Sequence, residues 1–229
     1  MGINQQKAAV IIAAGGSSQR MGDIDKLFSL LGGKPVLART IDAFQRCARI
    51  QQIIIVLSQQ NLKKGDQLLS EQGWVKVTDI CPGGRLRQDS VTAGIKLLKP
   101  CEWVIIHDGA RPLVTQELIN QGIDMAEETG SAVAAIPVTD TIKVAGDNMI
   151  VQGTPPRQNL WSVQTPQVFR FDIINEAYSN IRHKVTDDAK LVEQLGYKVK
   201  LYMGSYDNIK ITNPEDLDLA NILWQKYEK

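Results

Sequence analysis

Two cations beside a run of glycine and serine are the first residues here that could do chemistry. Ala8 to Ala14 is apolar, Gly15-Gly16-Ser17-Ser18-Gln19 follows, and then come Arg20 and Lys26. Glycines let backbone N–H groups approach an anion closely, and a guanidinium and an ammonium beside them neutralise it. That is the composition of a loop that handles phosphate, though in neither of two common spacings. The only Gly-Lys pair, Gly33-Lys34, is followed by Pro35 rather than Ser or Thr, and no G-x-G-x-x-G occurs at Gly15.

Two more polar groups follow apolar runs in the same way. Pro82-Gly83-Gly84-Arg85, with Ser90 soon after, succeeds Val75 to Ile80, and Asp108-Gly109-Ala110-Arg111-Pro112 succeeds Trp103 to His107. The elements that must position these groups are legible in the apolar pattern. Ala8 to Ala14, Ile53 to Leu57, Val75 to Ile80, Trp103 to His107, Ala132 to Val138 and Val199 to Met203 read as strands, with a short one at Ile209 to Ile211. Helices are predicted from Pro35 onward, over Leu62 to Gln72, Asp89 to Leu98, Thr115 to Glu128, Phe171 to Ile181 and Asp188 to Leu195, and after Asn213-Pro214. Strands alternating with helices predict an α/β fold: a Rossmann-like, doubly wound, mostly parallel sheet. Loops after the first, third and fourth strands then share one sheet edge and converge on one ligand.

Between Asp140 and Trp161 the alternation breaks. Thr141 to Val144, a turn at Gly146-Asp147-Asn148, and Ile150 to Gln152 read as a hairpin too poor in apolar residues to build its own core. The reading is a single domain over 1–229, with 140–161 as a projecting β-arm that packs on a second subunit. The alternative is a hairpin folded back on its own sheet.

Composition narrows the function classes. The net charge of +1 gives no global field for nucleic acid, so anion binding must come from locally gathered cations. The cysteines, Cys47, Cys81 and Cys101, lack C-x-x-C spacing and suit neither a disulfide framework nor a zinc site. No apolar run reaches the ~18 residues of a membrane span, and the opening MGINQQK lacks the apolar stretch of a secretory signal. The expectation is a cytoplasmic protein that binds neither nucleic acid nor membrane. His107 reads as structural, His183 as surface, and Trp103 and Trp224 as core or interface.

Six motifs in order, AAGGSSQRMG with Lys26, PGGRLRQDSV, HDGARP, PVTDTIK, TPQ at Thr165 and DNIKITNPEDL, span nearly the whole chain. The set resembles the 2-C-methyl-D-erythritol 4-phosphate cytidylyltransferases of the non-mevalonate isoprenoid pathway. The resemblance implies transfer of CMP from CTP to a sugar-alcohol phosphate, with Mg²⁺, release of pyrophosphate, and a homodimer joined through the arm. Arg20 and Lys26 would stabilise the transition state and departing pyrophosphate. Ala13, Ala14 and Gly15 would meet the nucleotide, and Gly84, Arg85 and Ser90 would enclose cytosine. Asp108 would sit near the metal, triphosphate and ribose. Arg111, Thr141, Arg157, Thr165, Thr186 and Lys210 would hold the acceptor, with Arg157 and Lys210 aiming the attack and Arg157 serving the partner subunit's site.

The chemistry suits such residues. A phosphate monoester is already largely dianionic at neutral pH (second pKa about 6), so its attack on a second phosphate needs cations and alignment more than a base. Plainer roles stand beside these: Asp108 as a loop cap or ion-pair partner of Arg111, Thr186 as a helix cap, Lys210 as an exposed lysine. Ribitol 5-phosphate as acceptor, or another sugar-phosphate nucleotidyl transfer, is the rival reading of the same motifs.

Overall fold

A computed structural model describes residues 7–16, 25–181, 184–185 and 187–226. In chain order, β1 (Ala8–Ala14) leads to a two-stranded ribbon of β2 (Leu30–Leu31) and β3 (Lys34–Pro35), then α1 (Val36–Arg46), β4 (Ile50–Leu57), α2 (Leu62–Gln72) and β5 (Val77–Pro82). Next come α3 (Arg87–Ile95), β6 (Trp103–Asp108), α4 (Gln116–Thr129) and β7 (Ser131–Pro137). A second ribbon, β8 (Val144–Ala145) and β9 (Val151–Gly153), precedes β10 (Trp161–Arg170). The last elements are α5 (Phe171–Ser179), α6 (Asp188–Gln194), β11 (Lys200–Met203) and α7 (Pro214–Trp224).

Seven strands form the central sheet in the order β11-β7-β10-β6-β1-β4-β5. All neighbours are parallel except β10, which runs antiparallel to both β6 and β7. The apolar runs read as strands because helices cover both faces. Successive residues of β1 point to opposite sides. Val10 and Ile12 join Leu37, Phe44, Ile119 and Leu223 on one face, whereas Ile11 joins Val91, Ile173 and Val192 on the other. Strand order reverses at β1 and β6, so the crevice for a ligand opens beyond their carboxyl ends.

Three expectations need correction. No strand was expected at Trp161–Arg170, yet β10 lies in the middle of the sheet. Its register shifts between Val163 and Gln167, so Pro166, which has no N–H to give, falls in the gap in the ladder. Ile209 to Ile211 is not a strand. Among its backbone groups Ile211 N–H donates to Ala110 C=O at 2.9 Å, which carries the segment past β6 as an irregular connection. Helix α3 begins at Arg87 rather than Asp89, so that arginine occupies its first turn.

The hairpin is present. β8 and β9 pair with each other in a sheet of their own, and Val144, Met149, Ile150 and Val151 are exposed rather than folded back on the central sheet. Among the described residues no helix is long and apolar enough to cross a membrane.

Candidate active site

The loops after β1, β5 and β6 meet at the carboxyl edge. A Cβ on Gly15 would stand 3.0 Å from the Ser90 hydroxyl oxygen and 3.4 Å from the Gly83 Cα, and one on Gly109 would stand 2.8 Å from the Ala14 Cβ. Any larger side chain there would force the loops apart. Above them lies a cavity of about 460 Å³. Ala13, Ala14, Gly15, Gly84, Arg85 and Ser90 form one part of its wall, and Lys26, Arg87, Asp108 and Lys210 another. Four of these side chains are cations and one is a carboxylate, a balance that suits a polyanion.

A second cavity, of about 420 Å³, adjoins the first. Arg111, Thr165, Gln167 and Asp187 line it, and it shares Arg87, Asp108 and Lys210 with its neighbour. Asp108 is therefore the hub. Its Oδ1 accepts from Arg87 Nη1 at 2.5 Å, and its Oδ2 faces Lys210 Nζ at 2.9 Å and Arg111 Nε at 3.4 Å. Burial works against ionisation of this carboxyl, but Arg87, Lys210 and Arg111 outweigh it and hold it far below the usual carboxylate range. Arg111 also donates from Nη1 to the Asn208 carbonyl at 2.7 Å, which anchors the segment that carries Lys210.

Beneath Asp108 runs a chain of hydrogen bonds through His107, which is fully buried. His107 Nε2 lies 3.1 Å from the Arg111 carbonyl oxygen, which can only accept, so Nε2 carries the proton. Nδ1 is then an acceptor, 3.1 Å from Thr165 Oγ1, and receives a hydrogen bond from that hydroxyl. The same hydroxyl accepts from Asp108 N–H at 3.1 Å. The Thr165 proton is thus committed inside the protein, and its hydroxyl braces the Asp108 backbone. Burial, the dominant cause, pushes the His107 pKa down to about 3, so the ring is neutral in this site.

The structure treats the expected site residues unequally. Ala13, Ala14, Gly15, Lys26, Gly84, Arg85, Ser90, Asp108, Arg111, Thr165 and Lys210 come together in the two cavities. Arg20 and Thr186, and also His183, lie outside the described residues. Thr141 and Arg157 are exposed at the arm and line neither cavity, and Arg157 Nη1 donates to the Thr139 carbonyl at 2.6 Å. Asp108 and Arg111 pair as the plainer reading expected, and Lys210 is more than an exposed lysine, because it faces that carboxylate.

The described residues contain no group of three or more His, Cys, Asp or Glu able to hold a divalent cation, and the carboxylate in the larger cavity, Asp108, already faces Arg87, Lys210 and Arg111. One ionised carboxylate completed by phosphate oxygens is a common way to bind Mg²⁺. The donor set fits a metal that arrives with a polyphosphate, not one caged by protein alone.

Residues 8–226 match the sequence profile described as IspD: 2-C-methyl-D-erythritol 4-phosphate cytidylyltransferase. The chain belongs to this family. A cytidylyltransferase so named from Dehalococcoides mccartyi strain 195 is 52% identical over 226 residues, covering 99% of each chain. One from Alkaliphilus oremlandii is 47% identical over 225 residues, covering 95% of this chain and 94% of that one. Among solved structures, the 4-diphosphocytidyl-2C-methyl-D-erythritol synthase of Anaerococcus prevotii superposes with a TM-score of 0.85 at 34% identity, covering 97% of this chain and 98% of that one. The 2-C-methyl-D-erythritol 4-phosphate cytidylyltransferase of Thermus thermophilus gives 0.78 at 30% identity, covering 96% and 99%.

Within this IspD framework, Arg87, Asp188 and the bracing role of His107 carry no local mark in the sequence. Arg87 pairs with Asp188, which lies 101 residues away along the chain. Position alone gave no sign that the second arginine of Gly84-Arg85-Leu86-Arg87 is the one that turns inward.

Proposed function

We propose that this chain transfers CMP from CTP to 2-C-methyl-D-erythritol 4-phosphate, releasing pyrophosphate, by in-line attack of the acceptor phosphate on the α-phosphorus. One observation carries the reading: two cavities share a wall made of Arg87, Asp108 and Lys210, so two anions bound one in each would meet across it. Family membership and the names of the relatives favour the methylerythritol acceptor over ribitol 5-phosphate.

In this reading the larger cavity takes the nucleotide. Backbone at Ala13, Ala14, Gly15 and Gly84, with the Ser90 hydroxyl and Arg85, encloses the ribose and base, while Lys26 and Arg20 receive the triphosphate and stabilise the departing pyrophosphate. Preorganised cations of this kind stabilise charge that grows on the non-bridging and leaving oxygens. Lys210 and Arg111 draw the acceptor phosphate into the second cavity, aided by Thr186. Asp108 restrains both cations, so the incoming phosphate enters an arrangement already oriented. Thr165 serves as a brace for the Asp108 backbone rather than a donor to phosphate. Magnesium, held mainly by triphosphate oxygens with Asp108 nearby, would supply charge neutralisation at the polyphosphate.

Arg157 and Thr141 act, in this proposal, in the acceptor site of a partner subunit, reached when the 140–161 arm packs on that partner. The exposed apolar side chains of the arm support this homodimer. With small water-soluble substrates, we place the reaction in the cytoplasm.

The test is pyrophosphate release with CTP and Mg²⁺, or CTP and EDTA, run in parallel with methylerythritol 4-phosphate and ribitol 5-phosphate. Turnover on the first acceptor alone, lost with EDTA, is expected. Turnover on ribitol 5-phosphate instead would overturn the acceptor assignment and keep the nucleotide site.

A further inference from the structure

Arg87 joins two carboxylates, one that lines both cavities and one that lines neither. Its Nη1 donates to Asp108 Oδ1 at 2.5 Å, while Nη2 and Nε donate to Asp188 Oδ2 at 2.7 and 3.3 Å. Asp188 lines neither cavity, and its side chain is 1% exposed. Its other oxygen accepts from the hydroxyl of Tyr178 on α5. Asp188 is the first residue of α6, and the preceding Asp187 caps that helix and lines the second cavity.

The bridge divides the Asp108 carboxylate. Arg87 takes Oδ1, so Oδ2 is left to Lys210 and Arg111. Without Arg87 the carboxylate is free to rotate and turn both oxygens onto the two cations that receive the acceptor. A lysine cannot replace it, because an ammonium is a compact point charge and lacks the fork that holds two carboxylates at once.

We propose that Arg87 is a positioning residue for the transfer: by gripping Asp108 and Asp188 together, it fixes the carboxylate between the two cavities and locks the start of α6 to the nucleotide loop. The kinetic part of this rests on the function proposed above; the mechanical part does not. No contact between Arg87 and the reacting atoms is needed, since its effect passes through Asp108 and α6.

The experiment compares wild type, R87K and the double variant R87Q/D188N. Arg87→Gln alone would leave Asp188 buried without its cation and lower the melting temperature. The double variant removes both buried charges, so its Tm is expected to return close to wild type. Its kcat/KM for the acceptor is expected to stay at least about tenfold low, with KM for CTP changed by less than about threefold. R87K is expected to be impaired in the same sense. Wild-type acceptor kinetics in either variant would overturn the proposal. A second readout needs no turnover. CTP is expected to slow amide hydrogen exchange at the start of α6 in wild type and not in the double variant. Equal protection in both would overturn the coupling. Wild type that binds CTP and protects α6, yet turns over neither acceptor, would refute the function while leaving the Arg87 bridge supported.

Discussion

Replacing Thr165 by valine separates a brace from a substrate contact. The two side chains have nearly the same shape, so the change removes a hydroxyl and opens little space. Thr165 is 4% exposed, and its oxygen serves two buried partners, the Asp108 N–H and His107 Nδ1. Each partner left without a hydrogen bond costs about 1–3 kcal/mol, so the pair predicts a loss of roughly 2–4 kcal/mol after some relaxation. At about 2–4 °C per kcal/mol for a chain of this size, Tm should fall by roughly 4–16 °C. Thermal unfolding of ligand-free T165V, followed by circular dichroism, reads this directly. T165S keeps the hydroxyl and should recover most of the loss. A T165V melting curve that overlays wild type would refute the hydrogen-bond accounting and return the hydroxyl to the substrate.

His107 predicts an acid window. Its folded pKa of about 3 lies below the ordinary value near 6.5, so the unfolded chain binds the extra proton and stability falls as pH drops below about 6.5. Between pH 7 and pH 5 the ring accounts for about 2 kcal/mol of lost stability, and H107Q should flatten that part of a urea-unfolding pH series; an unchanged slope would contradict the assignment. Lys26→Ala should lower turnover by more than about tenfold in a chain that still folds, and an unaltered rate would remove Lys26 from the chemistry. Arg157→Ala should damage acceptor use while sparing KM for CTP; normal acceptor kinetics would sink its role. Sedimentation should give a dimer for wild type and a monomer once 140–161 is replaced by a short turn, whereas a monomeric wild type would refute the arm exchange.

The parts of the fold that the sequence made legible were those in which local composition and tertiary environment agree. The continuous apolar stretch of β1 and the helices flanked by caps fall near their expected places, because a strand covered on both faces has no reason to alternate. β10 was hidden for the opposite reason. Gln164 and Gln167 look solvent-facing in isolation, yet they are buried. Gln164 Nε2 donates to the Ser205 carbonyl, and Gln167 Oε1 accepts from Ala189 N–H. Pro166 also argues against a central strand unless the ladder breaks there, and no sequence pattern announces a break. The site divides along the same line. Glycine loops after strands mark themselves locally, as at Gly15 and Gly84. The Arg87–Asp188 bridge and the His107–Thr165 contact join residues far apart in sequence, so their chemistry exists only after the sheet has assembled.

A crystal structure with CTP and Mg²⁺, in the absence of acceptor, tests the central claim most directly. The account predicts cytosine against Gly84 and Ser90, the outer phosphates toward Lys26, and the α-phosphate facing the Asp108–Lys210 wall with the second cavity still open. CTP bound in the second cavity, or bound with its triphosphate at Ser90 and its base at Lys210, would contradict it.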